Sequence, residues 1–290
     1  MAGWSVKSRS EQGAAHFIEE EIKKFVRTSP LNCLPGSWDQ AIFDEPLVGF
    51  VEGDAPIFTE YKVIIGPDHL TPRQALAKAF HWRLPAELSV ISWVLPIAER
   101  ARVPNRSETR VPSRLWAETR WYGEQFNQAL RRHLVQTLTD MAYLAVAPAL
   151  RYYFRVKSNK KGLYSNWSER HIAYAAGLGT FSLSGGLITE RGVAHRCGSV
   201  VTDLVLPATP RTASTPYSNC LFYTDGSCRA CIARCPAGAI SERGQDKFTC
   251  QQYQRKEIAY LRKEYGVGVT GCGLCQTNVP CEFSCPTKKG

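Results

Sequence analysis

Apolar residues first recur at helical spacing near the start of the chain. Phe17, Ile18, Ile22, Phe25 and Val26 share one side of a helix predicted over residues 11–26, and Glu19, Glu20, Lys23 and Lys24 share the other. Pro30 closes that region. Tyr61 to Gly66 (YKVIIG) predicts a buried strand. Thr71-Pro72 reads as a cap followed by proline at the first helical position, so a helix is expected to about Phe80. Leu88 to Leu95 predicts a second strand, closed by Pro96. Ser113 caps a long helix in which Leu115, Tyr122, Phe126, Leu130, Leu134, Leu138 and Met141 recur at mostly helical intervals. Tyr143 to Leu150 is again apolar, whereas Lys157 to Trp167 is polar and reads as a loop. Ser168 opens a short helix that stops at Gly177, and Gly198 to Leu206 reads as a strand. Residues 207–216 carry three prolines and read as a linker. The fold class is α+β, a sheet flanked by helices, with strand order left open. The predicted division is a body over 1–215 and a cysteine-rich region over 216–290.

Composition adds little to this picture and charge adds more. The chain has 290 residues, 44% hydrophobic and 21% charged, which is ordinary globular material. The longest apolar run, Leu88 to Pro96, is too short to span a bilayer. Met1 to Ser10 has no stretch of signal-peptide type, so a cytoplasmic enzyme without membrane contact is expected. Thirty-six Lys and Arg against twenty-six Asp and Glu give a formal charge of +10. That balance favours an anionic partner, although no Lys/Arg run is long enough to read as a nucleic-acid tail. Lys157, Lys160 and Lys161 form the densest patch.

The cysteines carry the chemistry. Nine of the eleven lie between Cys220 and Cys285. One group is Cys228-x-x-Cys231-x-x-x-Cys235-Pro236, with Cys220 upstream. The other is Cys272-x-x-Cys275 followed by Cys281 and Cys285-Pro286, and Cys250 stands between the groups. Cys-x-x-Cys-x-x-x-Cys-Pro is the spacing of a bacterial ferredoxin-type iron–sulfur module, in which the Cys before Pro serves the other cluster. That rule gives one four-iron cluster to Cys220, Cys228, Cys231 and a late cysteine, and the other to Cys235, Cys250, Cys272 and Cys275. The late ligand is Cys281 or Cys285. Cys281 makes the shorter return, and Cys285 has the Cys-Pro signature. Asp225 occupies the usual first ligand position, so a three-iron cluster stays open, as do zinc and disulfides. Isolated Cys33 and Cys197 read as small buried hydrophobes.

The module resembles the C-terminal half of epoxyqueuosine reductase, and also reductive dehalogenases. Glu169-Arg170-His171-Ile172-Ala173-Tyr174-Ala175-Ala176-Gly177-Leu178-Gly179 is similar to that family's ER-x-x-A-x-x-AGLG segment. Leu187-Ile188, Gly198-Ser199 and Thr202-Asp203-Leu204 follow in the family's order. The resemblance implies a nitroreductase-like, cobalamin-binding body joined to a ferredoxin-like module with two 4Fe–4S clusters. It implies cofactor contacts at Gly177, Leu178, Gly179, Thr180, Ser184 and Gly185, with the glycines admitting a corrinoid to the backbone. The chain departs from the family at several points. Thr180, Ser182 and Leu183 stand where epoxyqueuosine reductases have a Trp and a Gly-Lys pair. Leu163 and Tyr164 stand near the position of their catalytic Asp, and Val279-Pro280-Cys281 replaces a compact Cys-x-x-x-Cys-Pro ending.

The activity so implied is a corrinoid-dependent iron–sulfur reductase of a small or nucleoside-like substrate, fed by ferredoxin or flavodoxin. Tyr164, Glu169 and His171 are the candidate proton donors, with Arg170 or Lys161 expected to lower the pKa of Tyr164. Two other readings stand beside it. One is an electron-transfer protein without corrinoid. The other is a strict tRNA epoxyqueuosine reductase, with tRNA as partner.

Overall fold

The computed structural model describes residues 10–80, 85–159 and 162–287, without the side chains of residues 37–39 and 159. The expectations for residues 1–9, Lys160 and Lys161 lie outside the described residues.

The chain opens with α1 (Glu11–Thr28), whose Ser10 cap accepts a hydrogen bond from the Gly13 amide and whose Ile18 and Ile22 are fully buried. A hairpin of β1 (Cys33–Leu34) and β2 (Ser37–Ala41) leads to β3 (Leu47–Glu52). Then come α2 (Ile57–Ile64), α3 (Pro72–Phe80), β4 (Ser89–Pro96), α4 (Glu99–Ser107) and α5 (Arg114–Asp140). A short β5 (Ala145–Val146) precedes the ribbon of β6 (Val156–Asn159) and β7 (Gly162–Ser165). Next are α6 (Glu169–Ala175), the pair β8 (Thr180–Phe181) and β9 (Leu187–Ile188), and β10 (His195–Thr202). Beyond 216 the elements are short: α7 (Leu221–Thr224), α8 (Ala230–Ala233), β11 (Ile240–Ser241), β12 (Gly244–Gln245), α9 (Lys247–Tyr253) and α10 (Leu261–Tyr265).

The main sheet runs β3-β4-β10-β5, antiparallel throughout. Every residue of β4 is buried, because helices cover both faces. Ile91, Trp93 and Leu95 point into one core with Ile18, Ile22, Phe126, Leu130 and Leu134. Val90, one pleat away, packs into a second core with Phe58, Tyr61, Leu76 and Ile172. Trp93 fixes the centre: its indole donates to Asn127 Oδ1 at 2.9 Å, and it lies opposite Gly198 in the register. A Cβ at Gly198 would meet that indole at 2.4 Å, so only glycine fits there.

Four expectations are corrected. Tyr61 to Gly66 is the end of a helix rather than a strand. Ile57, Phe58 and Tyr61 make its buried face, while Val63 and Ile64 are exposed. Lys157 to Trp167 is a two-stranded ribbon instead of a loop. The last strand starts at His195, three residues before Gly198, and ends at Thr202. The stretch 207–216 has no regular structure but is clipped to the edge of the sheet: Phe50 N donates to Thr209 Oγ1 and Thr209 N to Phe50 O, each at 2.9 Å.

The cysteine-rich region is tied to α4. Glu282 is 2% exposed and pairs with Arg102 at 2.6 Å and Arg106 at 2.9 Å. Asn105 Nδ2 donates to Thr277 Oγ1 at 3.0 Å, and the Arg234 guanidinium donates to the carbonyls of Asn105 and Glu108. No described helix is long and apolar enough to cross a membrane.

Candidate functional site: two thiol cavities and a cationic cavity

Short elements gather the cysteines into two sets. Cys220 is the cap residue of α7, and Cys228 and Cys231 flank the start of α8. These three and Cys281 line one apolar cavity with Leu183, Ile188 and Val279. Cys235 follows α8 and crosses to the other set, where it lines a cavity of about 170 Å³ with Cys250, Cys272 and Cys275. Cys285 lines neither and instead lies 3.3 Å from Thr287 Oγ1. Asp225 caps its turn by accepting from Ser227 N, and Cys33 and Cys197 stand apart from both sets. Burial, then neighbouring thiols, pushes Cys231 up to about 11 and Cys281 up to about 12. Burial pushes Cys272 up to about 11 as well and raises Cys250 and Cys275. Thiols so crowded suit a cationic core that replaces their protons. Among the described residues, no group of three His, Cys, Asp or Glu is set to hold a single metal ion. The four thiols of each set surround a space, which is the arrangement a multi-iron core requires.

A cationic cavity of about 510 Å³ abuts the second thiol set, with Cys250, Gln245 and Gln254 in the walls of both. It also holds Leu163, Arg170, Lys247, Gln251, Arg255, Arg262 and Thr270. Four cations and no carboxylate line it. Lys247 Nζ donates to Leu163 O at 3.0 Å, and Arg170 donates to the carbonyl of Gly185. Gln245, Gln251, Gln254 and Thr270 offer amides and a hydroxyl that match the amide-fringed edge of a corrin in chemical type. Sequence reasoning missed these residues. Lys247, Cys250, Gln251 and Gln254 recur at helical intervals through α9, which was the available signal.

A separate cavity, the largest at about 720 Å³, is lined by Gly177, Leu178, Gly179 and Thr180 together with Arg211 and Asn219. Ser184 instead lines the first thiol cavity, and Gly185 lines none of these. On its other side Gly179 packs closely against β9, where a Cβ would meet Ile188 O at 2.4 Å. The residues read as catalytic and those read as cofactor contacts therefore do not converge on one cavity.

Of the catalytic candidates, only Arg170 lines the cationic cavity. Tyr164 points to the other face of the ribbon, onto Gly66, and donates to Asp68 Oδ1 at 2.9 Å. The Asp68 carboxylate raises its pKa, and Lys157 pairs with that same carboxylate, so the expected lowering by Arg170 or Lys161 is replaced by the opposite shift. Glu169 accepts from Arg131 at 3.1 Å and from Ser199 Oγ at 2.6 Å, and burial raises its pKa. His171 is held neutral by burial, down to about 3, with Nδ1 2.8 Å from Ser168 Oγ and its ring against Tyr61 and Phe181.

No protein-family model matches the sequence. Over 129 residues, 42% of this chain, it is 30% identical to an epoxyqueuosine reductase of Bacillus anthracis, and the match covers 30% of that enzyme. The fold superimposes on a crystal structure of selenomethionine-labelled epoxyqueuosine reductase with a TM-score of 0.53 and 16% identity. That superposition covers 92% of this chain and 66% of the other. An epoxyqueuosine reductase solved with an epoxyqueuosine-modified tRNA-Tyr stem loop aligns at a TM-score of 0.48 and 18% identity, over the same shares. The chain thus spans just under two thirds of the length of these solved structures. The chain's α+β fold is thus similar to that of the selenomethionine-labelled enzyme, and over 129 residues its sequence is similar to the Bacillus anthracis enzyme.

Proposed function

We propose that the chain is an iron–sulfur reductase whose second cluster, held in part by Cys250, would supply electrons at the wall of the cationic cavity. The observation that carries this is the double position of Cys250, in a four-thiol set and in the wall of that cavity. In this reading Cys220, Cys228, Cys231 and Cys281 hold one 4Fe–4S cluster, and Cys235, Cys250, Cys272 and Cys275 hold the other. Residues 216–290 form the ferredoxin-like module, and 1–215 form the nitroreductase-like body that closes the cavity. When bound, the clusters and a corrinoid supply low-potential electrons and a reducing cobalt.

The chain's own part is binding and orientation. Gln245, Gln251, Gln254 and Thr270 hold the corrin edge. Arg170, Lys247, Arg255 and Arg262 attract negative charge on a small or nucleoside-like substrate. The net positive surface suits an acidic donor such as ferredoxin or flavodoxin.

The test is cobalt retained after cobalamin loading and desalting. Thr270→Trp should block the cationic cavity and lose cobalt with iron unchanged, while Thr180→Trp, in the separate glycine-lined cavity, should keep it. The reverse result would move the corrinoid to Gly177–Thr180. No cobalt in any form, with iron present, would favour an electron carrier. Binding of tRNA that weakens steeply with salt would favour the strict epoxyqueuosine reaction.

A further inference from the structure

Beside the second thiol set lies a cavity that the proposed reaction does not use. Its volume is about 200 Å³, and its walls include Trp116, Arg120, His195, Arg196, Gly271 and Cys272. It has room for several waters at about 30 Å³ each. Its charges do not balance. Arg196 reaches Glu124 at 3.3 Å, but Glu124 also serves Arg131 at 3.1 Å. Arg131 also pairs with Glu169, so Arg131 and Arg196 take up both carboxylates. Among the described residues, no carboxylate lies within ion-pair distance of Arg120. Arg196 Nε is buried without a hydrogen-bond partner. Burial and then Arg120 hold Arg196 down to about 9, and burial lowers the pKa of Arg120.

Of the two thiol sets, only Cys272 stands in the wall of this cavity. Cys272 has its own cation in Arg234, whose guanidinium is bound to the carbonyls of Leu274, Thr277, Glu108 and Asn105. His195 does not supply an anion either, since it is neutral and tied through Nε2 to Leu187 O at 2.7 Å. Unpaired buried cations are costly, and planar guanidinium donors match tetrahedral oxyanions well.

We infer that this cavity is an anion site, taking one small oxyanion of phosphate type between Arg120 and Arg196. It stands apart from the cationic cavity, separated by Gly271, which is in the wall of both.

The test is calorimetric titration of the purified protein, iron content measured, with inorganic phosphate in a buffer free of oxyanions. One saturable site per chain is expected. Arg120→Gln should weaken it by about tenfold or more, since a charge-assisted contact is lost, and Arg120→Lys should retain part of it. Arg120 has no ion pair to lose, so iron content and folding should be unchanged. A crystal soaked in selenate should show anomalous density between Arg120 and Arg196. Absence of saturable binding, or equal binding by Arg120→Gln, would overturn the inference. The titration reads phosphate binding and not turnover, so it fails or succeeds separately from the proposed reductase activity.

Discussion

The Tyr164 hydroxyl donates a hydrogen bond to Asp68 Oδ1, 2.9 Å away, and Asp68 is in turn paired with Lys157. This chain of contacts stitches the β6–β7 ribbon to the turn after α2. It leaves the hydroxyl engaged on the face of the ribbon opposite Leu163, which is the residue in the wall of the cationic cavity. Tyr164→Phe should therefore leave turnover within about twofold and cluster spectra unchanged, because no group at the cavity is altered. A collapse of turnover with intact clusters would restore Tyr164 as the acid.

Cys281 and Cys285 should separate cleanly. Cys281 lines the first thiol cavity, and Cys285 is buried beside Thr287. Cys281→Ser should lose about half of the iron, and Cys285→Ser should keep it. Iron and acid-labile sulfide per chain give the answer, and the opposite pattern would exchange the two assignments.

Glu282 holds Arg102 and Arg106 next to Cys281 and also accepts from Asn278 N at 2.7 Å. Replacing it with Gln leaves a buried guanidinium without its counter-charge. The expected cost is about 3 kcal/mol or more of stability, with slower recovery of the first cluster on reconstitution. Urea unfolding compares the two proteins. A loss below about 1 kcal/mol would mean that α4 is not held through this pair.

Three histidines give the protein an acid limit. Burial depresses His69 and His195 to about 4 and His171 to about 3, against an ordinary value near 6.5. The unfolded chain therefore binds more protons between those limits. Stability from these groups is complete above about pH 6.5 and is lost as pH falls toward 4. Near pH 5 almost three protons enter on unfolding, a slope of roughly 4 kcal/mol per pH unit. His171→Gln should remove about one proton from that uptake. A stability that is flat from pH 7 to 5 would show that the rings are charged in the folded state.

What the sequence disclosed depended on how each element is buried. Helices α1 and α5 were readable because Ile18, Ile22, Phe126 and Leu130 face one continuous core. Helix α2 was misread because Val63 and Ile64 are apolar yet exposed, so YKVIIG imitates a buried strand. Helix α4 was missed because it is polar, with Pro104 inside it, and its role is to bind Glu282 and Arg234. The β6–β7 ribbon looked like a loop because Val156 to Ser158 are exposed. Strand β10 started earlier than expected because His195 and Arg196 are not strand-like residues, although both line a cavity. The grouping of Cys235 with the later cysteines followed from the Cys-Pro crossover, whereas spacing left Cys281 and Cys285 undecided. The close approach of Gly179 to the chain's own β9 was not legible, because nothing in the AGLG segment shows which strand packs against it.

The most direct measurement is iron and acid-labile sulfide per chain after anaerobic reconstitution, read with the electron paramagnetic resonance of the reduced protein. Two four-thiol cavities predict about eight of each and two interacting four-iron signals. About four iron, a three-iron signal or stoichiometric zinc would contradict the pairing of Cys220, Cys228, Cys231 and Cys281 against Cys235, Cys250, Cys272 and Cys275.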